Sequence, residues 1–233
     1  MPSAPTGSSA ETSDAPKTSR PHRNQPRPGT PPYQIARLPA NRNYRLGVRN
    51  EIRTERLLLR PWCAEDAAEL LPVLEANIEH LRPWIPARVA EPVPEPALAQ
   101  RLAGFAADFA ADREWRFGMF SLGERQVLGE VGLFPRSVSG RVPLGEADRA
   151  ELGYWLRADA TGHGLVTEAA QAVLDVAATF PQFSHFEIRC DARNVRSVAV
   201  PRRLGFVLSM TIEETAPAAA APNVHLQVWT SAP

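Results

Sequence analysis

The sequence contains little that would cross-link the chain, anchor it in a membrane or bind a metal. Its 233 residues include only two cysteines, Cys63 and Cys190, which lie 127 positions apart and form no C-x-x-C pair. This usage favours a reducing compartment, so we expect a cytoplasmic protein without a metal site. No window approaches roughly 18 consecutive apolar residues, and no apolar segment follows the N-terminus, so the sequence predicts neither a membrane span nor a secretion signal.

An excess of charge of one sign is also missing. The 26 basic and 26 acidic residues balance, so we expect neither nucleic acid nor a membrane as a partner. The balance hides an asymmetry, because residues 1–50 carry eight basic residues against Glu11 and Asp14. The rest of the chain therefore holds 18 basic and 24 acidic residues and is mildly acidic.

Residues 1–50 differ in composition from the rest of the chain. They are rich in Pro, Ser, Thr and Arg and show no apolar periodicity. Such a segment cannot bury enough apolar surface to offset its ordering entropy, so we expect a disordered tail. Its basic character would also suit an acidic partner, but the composition favours a solvated tail. The folded domain is predicted over 51–233.

From residue 51 on, apolar residues recur with helix or strand spacing. Helices are indicated around Ala67, Leu70, Leu71 and Leu74, around Leu98, Leu102, Phe105, Ala106 and Phe109 after a proline-rich connector over 82–96, over 166–177, and from Asn194 to Leu204. Strands are indicated by Leu57–Leu59 and by WRFGMFSL, QVLGEVGLF, AELGYWL, HFEIRC, FVLSMTI and VHLQVWT. This order predicts an α/β (α+β) fold in which helices cover a mixed sheet.

The stretch RADATGHGLVTEA places Gly162 and Gly164 around His163, between a predicted strand and a predicted helix. One interpretation is a tight turn. The other is an anion site, because the first N–H groups of a helix are free to bind a phosphate at the positive end of its dipole. Those N–H groups would belong to Gly164, Leu165, Val166 and Thr167. The corner is neither a P-loop nor a dinucleotide-binding motif, and alone it does not decide between the two interpretations.

A second motif, NVRSVAVPRRLGF, adds context to this corner. Together with ERLLLRPW and ELGYWL…GHGLVTEA it resembles the GNAT superfamily of acetyl-CoA-dependent N-acetyltransferases, and within it the RimJ/RimL type that acetylates N-terminal alanines of ribosomal proteins. The resemblance covers about residues 52–230. It implies a mixed, mostly antiparallel sheet of about seven strands, flanked by helices and splayed centrally to admit CoA, with acetyl-CoA as the co-substrate.

In that family the loop before the central helix reads Q/R-x-x-G-x-G/A, and its backbone N–H groups hold the CoA pyrophosphate. The matching positions are Thr161, Gly164 and Val166, of which the first and last depart from the pattern. The resemblance thus assigns the backbone over 162–167 to CoA binding. His163 would add partial positive charge or remain an exposed loop residue. Asn194 resembles the family's CoA-contacting asparagine and also suits a helix N-cap.

The resemblance also implies a function for GYWL. A bulge in this strand would splay it from HFEIRC, and the backbone around Trp155 and Leu156 would pair with the pantetheine arm. One N–H, expected to be that of Leu156, would polarise the thioester carbonyl. Ordinary strand packing of Tyr154 and Trp155 is compatible with this role.

The residue that protonates the leaving thiolate is less regular. Many family members have a tyrosine seven residues after the asparagine, where this chain has Pro201. The RimJ/RimL pattern has a serine three residues after the asparagine, and Ser197 is present. We expect Ser197 to be the proton donor, although it also fits as a plain helix serine. Because Pro201 lacks the N–H that would bond the Ser197 carbonyl, a kink is expected there.

Acyl transfer also requires a neutral amine. An α-amine of pKa about 7.7–8.0 needs only a modest base or water, whereas a lysine near about 10.4 costs about 4–5 kcal/mol to deprotonate at neutral pH. Strand carboxylates are the candidate bases. Glu151 comes first because it shares a strand face with Trp155, Glu130 second and Asp148 third. Each also fits as a solvated strand or turn residue.

The acceptor is not determined by the sequence. Trp84, Trp115 and Phe117 would contact an acceptor or belong to the core. The acidic excess favours a cationic acceptor such as a peptide N-terminus, an aminoglycoside or a polyamine. Two functions stay open: an N-acetyltransferase acting on a primary amine by direct attack, without a cysteine relay, and a non-catalytic acyl-CoA-binding or sensor module. The oligomeric state is open, a homodimer included.

Overall fold

The computed structural model describes residues 51–123, 125–214 and 224–231, and these belong to one compact unit. The predicted N-terminal tail and most of the loop before the last strand, 215–223, lie outside the described residues. Within the described ranges, no helix combines the length and the apolar character that crossing a membrane requires.

One sheet contains the nine strands of the described residues, seven of which have five residues or more, as expected. They are β1 Ile52–Arg53, β2 Leu57–Pro61, β3 Trp115–Ser121, β4 Val127–Ser137, β5 Gly140–Arg141, β6 Arg149–Leu156, β7 His185–Asp191, β8 Val207–Glu214 and β9 Val224–Thr230. Their order is β1-β2-β3-β4-β6-β7-β9-β8, with β5 paired to β4. Among the described strands only β6 and β7 are parallel neighbours, because the helix Leu165–Ala177 connects them as a crossover.

Five α-helices accompany the sheet in the described part of the chain. They are α1 Ala67–Leu81, α2 Ala87–Ala90, α3 Glu95–Ala110, α4 Leu165–Ala177 and α5 Val195–Arg203. The prediction of a continuous connector over 82–96 is wrong at two points. It contains α2, and α3 already begins at Glu95. Pro96 lies in the first turn of α3, where a missing N–H removes no helical hydrogen bond.

Helices pack on both faces of the sheet because strand side chains alternate. In β2, Leu57 and Leu59 join the cluster that contains α4, whereas Leu58 joins the cluster that contains α1 and α3. Trp115 and Phe117 are fully buried in the α4 cluster. Of the two interpretations of these aromatic residues, the core one is therefore correct.

The sheet opens between its two parallel strands. β6 and β7 pair only from Arg149 with His185 to Leu152 with Ile188. Beyond that point β6 stays paired with β4 as far as Leu156, and β7 stays paired with β9 as far as Asp191. The prediction of a bulge in β6 is wrong, because the register of β6 with β4 is continuous. The splay instead arises because each strand follows its other neighbour.

Candidate active site

The splay opens into a cavity of about 1050 Å³, a volume sufficient for a large ligand. Most of the predicted site residues line it: Glu130, Glu151, Trp155, Leu156, Gly162, Gly164, Leu165, Val166, Thr167, Asn194 and Ser197. His163 and Asp148 are not part of this lining. The tertiary structure thus brings together segments that are up to 67 positions apart in the chain.

The glycine corner begins helix α4. Gly162 and Gly164 have φ of +87° and +77°, a left-handed conformation that a β-branched residue rarely adopts. The first helical N–H to find a partner is that of Glu168, which donates to the Gly164 carbonyl at 3.1 Å. The preceding N–H groups at the helix N-terminus have no backbone partner within the described part of the chain. The turn and the anion-site interpretations therefore describe the same backbone.

Thr167 adds a hydroxyl to this corner. Its Oγ1 is buried and has no hydrogen-bond partner among the described residues. A buried hydroxyl without a partner is costly, so it marks a place where a ligand or water oxygen fits. His163, by contrast, is exposed, and its carbonyl accepts a hydrogen bond from Arg56 Nη1 at 2.9 Å. The exposed-loop interpretation fits this geometry.

The cavity wall carries more basic than acidic groups. Among the described residues, eight arginines line it, against three carboxylates: Arg88, Arg116, Arg136, Arg141, Arg189, Arg193, Arg196 and Arg203, with Glu130, Glu151 and Asp191. Glu114 and Glu187, outside the lining, also pair with three of these arginines. Each carboxylate is paired with at least one of these arginines. The expectation that the acidic excess of the domain favours a cationic ligand is therefore not met at the cavity. Much of the acid is on exposed helix faces, as with Glu69 and Glu75 of α1.

The backbone of β6 presents an N–H to the gap where one was expected. Arg157 N–H donates to the Leu128 carbonyl of β4 at 2.9 Å. Because successive N–H groups of a strand point to opposite edges, that of Trp155 also faces β4, whereas that of Leu156 faces the gap. The Leu156 N–H thus has the direction required of a donor to a thioester carbonyl.

Gly129 was not among the predicted site residues. It lies opposite Leu156 in β4, and a Cβ there would be 2.1 Å from the Trp155 carbonyl oxygen. Such a contact excludes any side chain, so the glycine lets β4 approach the functional end of β6. A glycine in the interior of a strand is the sequence signal that could have identified it.

Asn194, Ser197 and Tyr154 form a polar group where α5 faces β6. Asn194 Oδ1 accepts the Ser197 N–H at 3.0 Å, so the predicted N-cap is confirmed. Tyr154 Oη donates to the Ser197 carbonyl at 3.0 Å, and Ser197 Oγ donates back to Tyr154 Oη at 3.3 Å. Burial raises the pKa of Tyr154, so its phenol stays neutral. α5 runs on through Pro201, and the carbonyl freed by the proline is satisfied by the tyrosine.

The candidate bases differ in their distance from the Leu156 N–H. Glu151 precedes Leu156 by five residues, about 17 Å along a strand, and its carboxylate accepts from Arg136 and Arg141. Glu130 lies opposite Trp155 in the ladder. It is 5% exposed, and its oxygens accept from Trp62 Nε1 at 2.8 Å and Arg116 Nη1 at 2.7 Å.

Asp148, the third candidate, lies before β6 and outside the cavity lining. Its hydrogen bond from Arg149 lowers the pKa of its carboxyl. The register therefore places Glu130, not Glu151, nearest the Leu156 N–H.

Comparison with known proteins decides the family. The sequence profile described as "Acetyltransferase (GNAT) domain" matches residues 56–207, more than half of the chain. The chain belongs to the GNAT acetyltransferase family. It is therefore an acetyl-CoA-dependent N-acetyltransferase, and the sheet, its helices and the splay are those of the GNAT fold.

Relatives agree with this assignment. The chain is 25% identical over 150 residues to the "Probable N-acetyltransferase YjcK" of Bacillus subtilis. This alignment covers 64% of this chain and 80% of that protein. It is also 34% identical over 65 residues to the ribosomal-protein-serine acetyltransferase of Escherichia coli. These residues are 28% of this chain and 36% of that protein. The fold is similar to that of RimL, a ribosomal L7/L12 α-N-protein acetyltransferase solved with coenzyme A, with a TM-score of 0.62 and 19% identity. The superposition covers 76% of this chain and 94% of that structure.

The GNAT site of this chain fits an acyl-CoA. The free N–H groups of the corner, the partnerless Thr167 hydroxyl and the excess of arginines are all suited to the phosphate groups of CoA. Among the described residues, no cluster of His, Cys, Asp or Glu could hold a metal ion. The groups of this site that suit the phosphates are backbone N–H groups, the Thr167 hydroxyl and arginine side chains.

Proposed function

We propose that this protein acetylates the α-amine of a peptide N-terminus by direct attack on acetyl-CoA. The observation that carries the proposal is that one cavity is lined by the anion-binding corner, the gap edge of β6 and Ser197. The names of two similar proteins, which refer to ribosomal-protein and α-N-protein acetylation, support a protein acceptor.

Acetyl-CoA supplies the thioester, and the chain supplies its binding groups. The backbone over 162–167 binds the diphosphate through N–H groups. The gap edge of β6 at Leu156 pairs with the extended arm as a neighbouring strand would, because β7 no longer pairs with β6 there. The Leu156 N–H stabilises the negative charge that develops on the carbonyl oxygen.

Ser197 holds the proton that the leaving sulfur requires. Its hydroxyl lies at the cavity wall, and Tyr154 and the Asn194 cap fix its position from two sides. Tyr154 stays neutral and acts as a positioning residue, since losing its own proton in this buried place would be unfavourable. No cysteine relay is needed.

The amine proton leaves towards Glu130. Glu130 is the cross-strand partner of Trp155, so the two side chains lie on the same face of the sheet. A water between the amine and the carboxylate completes the proton path. Glu151 lies farther from Leu156 along β6, and its carboxylate accepts from two arginines, Arg136 and Arg141, whereas that of Glu130 accepts from one, Arg116. We assign Glu151, with Arg136 and Arg141, to orienting the acceptor.

The charge of the wall selects among the acceptors. A wall with eight arginines and three carboxylates repels a polycation, which disfavours polyamines and aminoglycosides. A peptide N-terminus brings one charge, and at neutral pH its deprotonation costs under about 1.5 kcal/mol. Trp84, 37% exposed, offers apolar surface in the same cavity for the first side chains.

The proposal is tested by mixing the protein with acetyl-CoA and a panel of amines and following free CoA thiol. The panel holds a peptide with a free N-terminus, the same peptide with a blocked N-terminus and an internal lysine, a polyamine and an aminoglycoside. We expect thiol release with the first peptide alone. Release with the polyamine or the aminoglycoside would overturn the acceptor assignment. Acetyl-CoA binding without release for any amine would favour the sensor alternative.

A further inference from the structure

The glycine corner is held from outside the cavity by one residue of the β1–β2 turn. Arg56 Nη1 donates to the His163 carbonyl at 2.9 Å, between the two glycines. Its Nε donates to Glu168 Oε2 at 2.7 Å, and its Nη2 lies 2.6 Å from the same oxygen. One guanidinium therefore connects the loop before α4 with the first turn of α4.

Glu168 occupies a place that is unfavourable for binding an anionic ligand. It is in the first turn of α4, directly after the free N–H groups of the corner. A carboxylate there is favourable for the helix itself, but it competes with an incoming phosphate for the positive end of the dipole. Its second oxygen, Oε1, accepts from Thr54 Oγ1 and from the Arg56 N–H. Each oxygen of Glu168 is thus bonded away from the cavity.

We propose that Arg56 is a positioning residue for the CoA diphosphate, acting through Glu168 and His163. It neutralises the Glu168 carboxylate, so that the corner stays attractive to an anion. It also keeps the His163 carbonyl turned away from the phosphate, so that the corner presents N–H groups. This inference rests on the proposed binding of acetyl-CoA at the corner. Arg56 itself does not line the cavity.

Both effects are separable from folding. The Arg56 side chain is 45% exposed and that of Glu168 is 15% exposed. Ion pairs with so exposed a partner contribute little to stability, so variants of either residue should fold. The readout that distinguishes a charge effect from a packing defect is the dependence of CoA affinity on Glu168 and on salt.

A double-mutant cycle read by calorimetry with CoA tests the inference. We expect Arg56→Ala to weaken CoA about 5- to 30-fold at low salt and less at high salt. Glu168→Gln should bind CoA as tightly as the wild type or more tightly. The double variant should recover most of the loss, because the uncompensated carboxylate is gone. Arg56→Lys should recover less, since a lysine cannot bridge Glu168 and the His163 carbonyl together.

Arg113→Ala is the matched control. Arg113 pairs with Asp108 away from the cavity, so this variant changes the net charge equally and should bind CoA normally. An Arg56→Ala protein with wild-type CoA affinity would overturn the inference while leaving the proposed function standing. A double variant no better than Arg56→Ala would also overturn it. A wild-type protein that does not bind CoA would overturn both.

Discussion

Tyr154 Oη donates a hydrogen bond of 3.0 Å to the carbonyl of Ser197, the carbonyl that Pro201 leaves without a helical partner. Ser197 Oγ in turn donates to Tyr154 Oη at 3.3 Å. A residue of β6 thus joins α5 across the splayed end of the sheet. Many GNAT proteins have a tyrosine at the position of Pro201. Here a tyrosine hydroxyl reaches the same helix from the strand instead.

Ser197→Ala should lower kcat by about 10²–10⁴-fold and leave the affinity for acetyl-CoA nearly unchanged. The proton is needed only as the bond to sulfur breaks, so binding in the ground state does not depend on it. Steady-state kinetics and calorimetry on one preparation measure the two quantities. Wild-type turnover in this variant would assign the acid role to water.

Tyr154→Phe should reduce stability by about 1–3 kcal/mol, because the Ser197 carbonyl would lose its partner. Adding Pro201→Ala supplies the missing helical N–H and should restore most of that stability. Thermal unfolding of the two single variants and the double variant measures this. If Pro201→Ala changes the melting temperature equally with and without Tyr154, then Tyr154 does not stabilise the fold by binding the Ser197 carbonyl.

Glu130→Gln should lower kcat below the acceptor amine's pKa of about 8 and have less effect above it, because the substrate then arrives neutral. Glu151→Gln should mainly raise the KM for the acceptor peptide, at every pH. Activity profiles from pH 6 to pH 9 separate the two. A pH-dependent loss in Glu151→Gln, with a flat response in Glu130→Gln, would return the role of base to Glu151.

Glu187 should determine part of the acid limit of stability. It is 3% exposed. Burial acts to raise the pKa of its carboxyl, but hydrogen bonds from Arg189 and Arg149 lower this pKa overall. A lowered pKa gives stability that is present above the unfolded value and lost as pH falls through the folded one. Glu187→Gln should be less stable at pH 7 by about 1–3 kcal/mol and lose less between pH 5 and pH 3. Parallel acid unfolding curves would contradict this.

Much of the fold was predictable because it depends on local pattern. The helix over 166–177, the Asn194 cap and the strand segments follow from spacing and residue type. The burial of Glu187 was not predictable, since the alternation of HFEIRC places apolar side chains on the other face. Its burial depends on arginines from two strands.

The site was predictable in composition but not in geometry. The corner was an anion-site candidate because its glycines precede a helix start, and the GNAT resemblance favoured that interpretation over a plain turn. The order of Glu130 and Glu151 depends on the register of β4 with β6, which no local pattern fixes. The basic cavity wall results from long arginine side chains converging from separate elements. For the same reason Arg56, 107 positions from His163, gave no signal.

The central claim is acetyl transfer to an α-amine, and one peptide tests it most directly. The peptide carries a free N-terminus and one internal lysine, and it is incubated with the protein and acetyl-CoA at neutral pH. Fragmentation in a mass spectrometer then locates any acetyl group. The account predicts a single acetyl group on the N-terminal amine and none without protein. Acetylation of the lysine, with the N-terminus unmodified, would contradict it.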